Sequence, residues 1–425
     1  MRHYKRQSNT NTRPGAKPPR LRRAFRRRGR CYNNAMMETY IDFQSLLTDE
    51  EKMIQENLRA FVAEEFLPVV AKHHREGTFP MELVPRLAAL GVFGATLREY
   101  DLPGLTQVPY GLMMLELERG DSGLRSFVSV QNSLVIFPLM QWGSKEQKDR
   151  WIPALASGKA IGCYGLTEPD FGSNPGGMRT RLTRSGKGWL LNGAKAWITN
   201  GSTAAVGVVW ARDDNAKVRG VLVERGMPGF ESRKYEGKFS LRASDTSEMF
   251  FQDVKIGEEH ILPGASSLKH PLMCLNEARF GIGWGAVGAA LAVSEHALEY
   301  AKSRVQFGGR PIAAQQIIQE KLAWMVTEIA KAQVLMWHLS RLKDAGKLHH
   351  SQVSLAKRNN VWMARECARM AREILGAAGI VDEHPVIRHM MNLEAVYTYE
   401  GTHDIHTLVI GERLTGIAAY NPPSE

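Results

Sequence analysis

At 425 residues, 44% of them apolar and 23% charged, the chain can build two or three packed domains around large cores, and its composition is that of an ordinary globular protein. Its formal charge of +11 belongs to one segment: residues 1–37 hold twelve Lys and Arg and no acid, leaving 43 basic residues against all 44 acids elsewhere. A body so nearly neutral is not built to grip nucleic acid, and four scattered cysteines (Cys31, Cys163, Cys274, Cys367) without a CxxC pair form no disulfide framework and suit a reducing compartment.

Residues 1–37, with RRAFRRRGR among them, have the composition of disorder. We read them as translation begun too far upstream, Met36 or Met37 being the natural start. The other readings are a mitochondrial transit peptide, for which the segment is poor in Ser, and a nucleic-acid-binding arm. No apolar stretch of a secretory signal follows. From Leu46 the pattern is helical, with apolar residues at three- and four-residue steps and Thr48 followed by Glu51 as a capping box. Helices are expected throughout residues 38–160.

The texture changes at CYGLTEPDFGSNPGGM. RTRLTRSGKGWLLNGAKAWITNGS reads as short alternating strands with Asn-Gly turn signals, and GVVWARDD, RGVLVER and SEMFFQDVKI extend a small β domain over residues 161–265. Helices return over 266–425. Within them Phe280 to Val293 is nearly uncharged. It is too short and glycine-rich to span a bilayer, and reads as a buried helix whose Gly and Ala permit close approach. Helices, then strands, then helices argue against an alternating βαβ architecture.

No GxGxxG opens a helix after a strand, and no GxxxxGK[ST] exists, so neither a Rossmann nor a P-loop site is expected. His403, Asp404 and His406 mimic metal-ligand spacing but supply no full coordination set, so capping or packing suits them better. His349 and His350, after a glycine turn, read as solvated. In EAVYTYEGTHDIHTLVIG, Glu400 lies between Tyr399 and Gly401. A carboxylate against aromatic and apolar neighbours loses solvation, and its pKa rises toward that of a general base. The missing Cβ of Gly401 lets a substrate approach the backbone. Thr402 or Asp404 caps the helix that follows, aiming N–H groups at an anion. On spacing alone, Glu400 is equally a helix-start carboxylate. GDSGLRSFVSVQNS sets Arg125 and Ser126 among apolar helices. If buried, this guanidinium requires an anionic partner; otherwise it is a surface Arg capping a turn.

YGLTEPDFGSNP, WITNG, SLRASDT, CLNEARFGIGWG, RVQFG, EILGAAGI and TYEGTHDIH, in this order over residues 40 to the end, resemble the motifs of the acyl-CoA dehydrogenase family, and most those of its glutaryl-CoA-oxidising branch. The resemblance implies an α+β fold with an N-terminal helical domain, a central small β domain and a C-terminal four-helix bundle. It implies FAD held by Tyr164, Leu166, Thr167, Gly172 and Ser173 of one loop and by Trp197, Ile198 and Thr199 at the ring. A neighbouring subunit would add Arg304, Phe307 and Gln315, while Ile374, Leu375, Gly376, Thr402 and Asp404 complete the cofactor floor. Ala377 and Ala378 stand where the family has Gly and Asn, which puts the close fit of that floor in doubt, and Asn174 stands where Asp is common.

For substrate, the resemblance implies Glu400 as base, with Ser173, Leu275, Asn276, Arg279, Tyr399 and Gly401 around the thioester. Arg125 with Ser126 would clamp a distal carboxylate, with Glu118 beside it. The expected reaction is oxidation and decarboxylation of glutaryl-CoA to crotonyl-CoA and CO2, as in lysine and tryptophan degradation. Glu400 N–H and a flavin ribityl hydroxyl would hold the enolate, electrons would pass to electron-transfer flavoprotein, and the enzyme would be a homotetramer. Oxidation of another short-chain or dicarboxylic acyl-CoA, or oxidation without decarboxylation, would use nearly the same motifs. Location is bacterial cytoplasm, or mitochondrial matrix if the leader is a transit peptide; no metal, nucleic acid or membrane span is expected.

Overall fold

The computed structural model describes residue 37 and residues 40–420; the basic segment, and the readings placed on it, lie outside them. A first helical layer contains α1 Asp49–Phe61, α2 Leu67–Glu76, α3 Val84–Ala89, α4 Gln107–Gly120, α5 Ser122–Ser129, α6 Phe137–Trp142 and α7 Lys145–Ala156. As expected, Thr48 and Glu51 form a reciprocal cap on α1. Two π-helical stretches, Val62–Phe66 and Val130–Ile136, join α1 to α2 and α5 to α6. In α4 nearly every residue is buried, including Glu116 and Glu118. A helix apolar all round belongs in the middle of the molecule, and α4 lies there, packed on the later helix α8.

The sheet follows with β1 Gly162–Gly165, β2 Arg181–Ser185, β3 Gly188–Thr199, β4 Val206–Asp213, β5 Val218–Glu224, β6 Phe230–Lys234 and β7 Thr246–Ile256. It runs β1-β4-β2-β3-β7-β6, with β5 on the other edge of β4. β1 and β2 pair with β4 in parallel and the remaining pairs are antiparallel. Alternation along β4 explains its burial on both faces: Val206, Val208 and Trp210 join the large helical core, while Val209 and Ala211 join a second core inside the β domain. One expectation is corrected here. Asn192-Gly193 is not a turn but a bulge inside β3, where the register against β7 shifts between Leu191 and Gly193. The reversal falls at Gly186, between β2 and β3, and a Cβ on Gly193 would lie 2.7 Å from the Thr180 backbone.

The last third consists of α8 Lys269–Ser303, a short hairpin of β8 Val305–Gln306 and β9 Arg310–Pro311, α9 Gln316–Asp344, α10 His350–Leu375, α11 Val386–Thr398 and α12 His403–Thr415. α8, α9, α10 and the α11–α12 pair make the four-helix bundle. The glycines of α8 are there for proximity. A Cβ at Gly288 would lie 1.9 Å from Leu115 O of α4, and one at Gly285 would lie 2.0 Å from Glu118 Oε2. Among the described residues no helix is long and apolar enough to cross a membrane.

Gly288→Ala is therefore expected to lower the denaturant midpoint by an amount worth about 1–3 kcal/mol, the usual cost of overpacking. Gly411→Ala on α12, where a Cβ meets nothing within 4 Å, should be neutral or stabilising by up to about 1 kcal/mol. Equal effects at the two sites would mean α4 and α8 do not need this close approach.

Candidate active site

The turn between α11 and α12, Tyr399-Glu400-Gly401-Thr402, brings together groups from five helices. Thr402, not Asp404, caps α12, its Oγ1 accepting from Ile405 N at 3.2 Å; Asp404 is exposed. Glu400 has φ 52° and Gly401 φ 97°. For the non-glycine residue that left-handed conformation costs about 1–3 kcal/mol and persists only when its surroundings hold it. They do so through backbone oxygens. Arg279 Nε of α8 donates to Glu400 O at 2.6 Å, and Lys357 Nζ of α10 donates to Tyr399 O at 2.5 Å and Gly401 O at 2.6 Å. Gly401 is required for a second reason: a Cβ there would sit 2.9 Å from His406 Nε2 and 3.1 Å from Arg279 Nη2.

Arg125 of α5 is fully buried, which excludes the surface-cap reading. Its Nε donates to Glu118 Oε2 at 2.6 Å and its Nη2 to Tyr399 Oη. One cation thus connects α4, α5 and the turn carrying Glu400. The chain also leaves three buried polar atoms of this cluster without a hydrogen-bond partner: Arg125 Nη1, Glu118 Oε1 and Glu400 Oε2. Unpaired buried polar atoms cost free energy unless a ligand or water satisfies them.

The surroundings of Glu400 are more charged than expected. Burial raises its pKa, while the charges of Arg125, Lys357 and Arg279 oppose that rise. The sequence reading had the direction and the desolvation, and named Arg125 and Arg279 for the site, but missed Lys357. Desolvation also moves Lys357 down to about 7, His406 down to about 2 and Tyr110 up to about 12.

Lys357 was not singled out in the sequence, although a signal exists. It falls among Val353, Ala356, Asn360, Val361 and Ala364, the buried face of α10, where a lysine requires a reason. Of the other expected substrate residues, Ser126 is buried beside Arg125. Leu275 is half-buried, and Asn276 Oδ1 accepts from Arg279 Nη1 at 3.2 Å. Ser173 is exposed with Gly172 on the loop after β1.

The residues expected around the cofactor divide by what their side chains do. Trp197 is 63% exposed, has φ 62° and stacks on Tyr235 with ring centroids 4.4 Å apart. Ala196 N donates to Thr167 O at 2.9 Å, which sets this strand end against the Tyr164–Thr167 loop, and Thr199 is half-buried there. An exposed flat aromatic beside hydroxyl donors fits an isoalloxazine ring. Ile198 does not present its side chain to such a ring: it is 2% exposed and packs in the β core, because strand alternation turns it away from Trp197 and Thr199. Leu166, Ile374 and Leu375 are likewise core residues, and Tyr164 donates from its buried hydroxyl to Pro271 O at 3.0 Å. Arg304 and Phe307 are exposed around the β8–β9 hairpin, with Gln315 half-buried after it. Gly376 is exposed at the end of α10 with φ 59°. Beneath the loop that follows β1, buried Lys195 joins Leu166 O at 3.1 Å and Glu168 Oε1 at 2.8 Å. His349, expected to be solvated, instead caps α10. Among the described residues no three His, Cys, Asp or Glu gather as a metal site.

Comparison with known proteins matches the acyl-CoA dehydrogenase N-terminal, middle and C-terminal domain models to residues 48–159, 163–254 and 268–415. The human mitochondrial short-chain specific acyl-CoA dehydrogenase is 35% identical over 396 residues, 91% of this chain and 95% of that protein. A crystal structure of glutaryl-CoA dehydrogenase from Mycobacterium smegmatis superposes with a TM-score of 0.89 at 52% identity, covering 91% of this chain and 99% of that one. A glutaryl-CoA dehydrogenase structure from the same organism in complex with FADH2 gives 0.88 at 48% identity, with 90% and 98% covered. With three domain models matched in order along the helix–sheet–helix architecture, the chain belongs to the acyl-CoA dehydrogenase family and is an FAD-dependent oxidoreductase.

Proposed function

We propose that the chain oxidises and decarboxylates glutaryl-CoA to crotonyl-CoA and CO2 and passes its electrons to electron-transfer flavoprotein. The observation that carries this reading is Arg125 Nη1, buried, cationic and without a partner. In a pocket for a plain fatty acyl chain such a donor is a standing cost. The distal carboxylate of glutaryl-CoA supplies the missing acceptor, and a guanidinium is the group suited to hold it. The similarity to mycobacterial glutaryl-CoA dehydrogenases supports the same substrate. The similarity to a short-chain enzyme favours a second reading, a short monocarboxylic acyl-CoA, which leaves Arg125 Nη1 unexplained.

In the proposed reaction Arg125 holds the far carboxylate and so fixes where the α-carbon lies. The Glu400 carboxylate, short of hydrogen bonds at Oε2 and raised in pKa by burial, takes the α-proton. The Glu400 backbone N–H stabilises the developing enolate oxygen. The Trp197–Thr199 strand end and the segment from Tyr164 to Ser173 would hold FAD, which would supply the acceptor for the β-hydride. Loss of CO2 from the distal carboxylate of the unsaturated product leaves its electron pair on carbon, and protonated Glu400 is placed to return a proton. Exposed Phe307 and Gly376 suit a cofactor contacted from a neighbouring subunit, in a homotetramer. Product analysis of glutaryl-CoA turnover under a dye acceptor separates the outcomes: crotonyl-CoA with CO2 supports the proposal, and glutaconyl-CoA means oxidation without decarboxylation.

Glu400→Gln is expected to bind FAD and acyl-CoA while slowing anaerobic flavin bleaching by about 10²–10⁴, the loss typical of a positioned base. Bleaching at a near wild-type rate would remove Glu400 from the reaction.

The structure changes what is expected of Arg125. Arg125→Met alone strands Glu118, fully buried, and should destabilise the fold by about 3–5 kcal/mol. Glu118→Gln/Arg125→Met relieves that burial and isolates the substrate effect. In this double variant, kcat/KM for glutaryl-CoA relative to butyryl-CoA should fall by about 10²–10³, the loss of a buried charge pair. An unchanged ratio means Arg125 does not read a carboxylate.

A further inference from the structure

The charge of Lys357 has no role in the proposed reaction, and its position requires one. It sits on the buried face of α10, where an ammonium loses its hydration. Its two hydrogen bonds bracket Glu400, reaching the carbonyls of Tyr399 and Gly401, while Arg279 takes the carbonyl between them. Three successive carbonyls are thus gripped by two cations, and Glu400 holds a left-handed φ at their centre. The Lys357 ammonium and the Arg125 guanidinium each lie 5.7 Å from the Tyr399 ring centroid. Neutral hydrogen bonds alone would hold such a turn; a buried charge in this place does something further.

We propose that Lys357 is a positioning residue for the base, clamping the backbone on both sides of Glu400 and setting by its charge the pH at which that carboxylate ionises. The proposal rests on Glu400 being the base. The groups facing Glu400 are Lys357 from α10, Arg279 from α8, Arg125 from α5, Tyr110 from α4, Tyr164 from β1 and His406 from α12, with Tyr399 beside it in the turn. Burial keeps the tyrosines and His406 uncharged at neutral pH and the arginines stay protonated, so Lys357, with its pKa brought down to about 7, is the cation here that titrates near neutrality. A positive charge favours the ionised carboxylate. Removing it raises the Glu400 pKa, and the acid limb of proton abstraction moves to higher pH.

The experiment follows exchange of the α-protons of acetyl-CoA into D2O by NMR, with FAD-loaded enzyme between pD 5.5 and 9.5. Acetyl-CoA has no β-carbon, so exchange reports the base without hydride transfer, and FAD content and thermal midpoint are recorded for every variant. Wild type should exchange, and Glu400→Gln should lose exchange by about 100-fold or more; failure at this step overturns the base reading itself. Lys357→Gln keeps a hydrogen-bond donor but no charge, and should move the acid-limb midpoint up by about one pH unit with a plateau within about tenfold of wild type. Lys357→Arg keeps the charge and should retain the wild-type midpoint. A Lys357→Gln enzyme with unchanged midpoint and only a lower plateau would show a purely structural lysine. If that variant does not retain FAD, Lys357→Met, uncharged and of similar length, decides on the same readout: a midpoint raised by about one pH unit supports the proposal and an unshifted one overturns it.

Discussion

Everything near the candidate site depends on keeping charge buried. Five ionisable side chains (Glu118, Arg125, Arg279, Lys357 and Glu400) come from different elements and meet around one turn, and none of them is stable there alone. Arg125 is tolerable because Glu118 and Tyr399 take two of its donor positions. Lys357 and Arg279 are tolerable because the turn offers three carbonyls in sequence. In return the cations hold a backbone conformation that Glu400 would not adopt unaided. The helical layers and the bundle serve as the frame that makes these mutual dependencies possible.

Much of that frame was legible in the sequence because it rests on local patterns. The capping box at Thr48, the alternation in GVVWARDD and the change from helical to strand texture near residue 160 all depend on neighbours in the chain. The Asn192-Gly193 turn was misread because a bulge and a hairpin turn use the same residue types, and only the pairing of β3 with β7 distinguishes them. The site was legible in part. Glu400 and Arg125 could be proposed because a carboxylate or guanidinium in an apolar setting is unusual in itself. Lys357 could not be linked to them. Forty-two residues separate it from Tyr399, and its effect comes from two carbonyl contacts that sequence spacing does not encode. Ile198 shows the converse: a motif named a whole segment for the cofactor, whereas strand geometry assigns its side chain to the core.

The cofactor side and the base side of the site are built differently. Around Glu400 nearly every polar group is enclosed. The residues suited to a flavin end in exposed surface, with Trp197 63% and Phe307 82% exposed, both at positive φ. Bulky side chains at positive φ are strained, and large exposed aromatics forgo burial. Both costs would be offset if the flavin covers these side chains as proposed, and cofactor binding would then contribute to the stability of this region.

The glycines of α8 tie the fold to the choice of substrate. Gly285 leaves room for the Glu118 carboxylate, since a Cβ there would meet Oε2 at 2.0 Å and Arg125 Nε at 3.1 Å. The same helix, about 1.7 turns earlier, supplies Arg279 to the Glu400 carbonyl. Close packing of α8 on α4 therefore performs two tasks with one geometry. It admits the Glu118–Arg125 pair into the interior, and it sets the distance from that pair to the turn bearing the base. A side chain large enough to part the two helices would loosen the distal clamp and the base together. Under the proposed reaction, discrimination between acyl chains and the chemistry at the α-carbon would for this reason be coupled through backbone packing as well as through the Tyr399 hydroxyl.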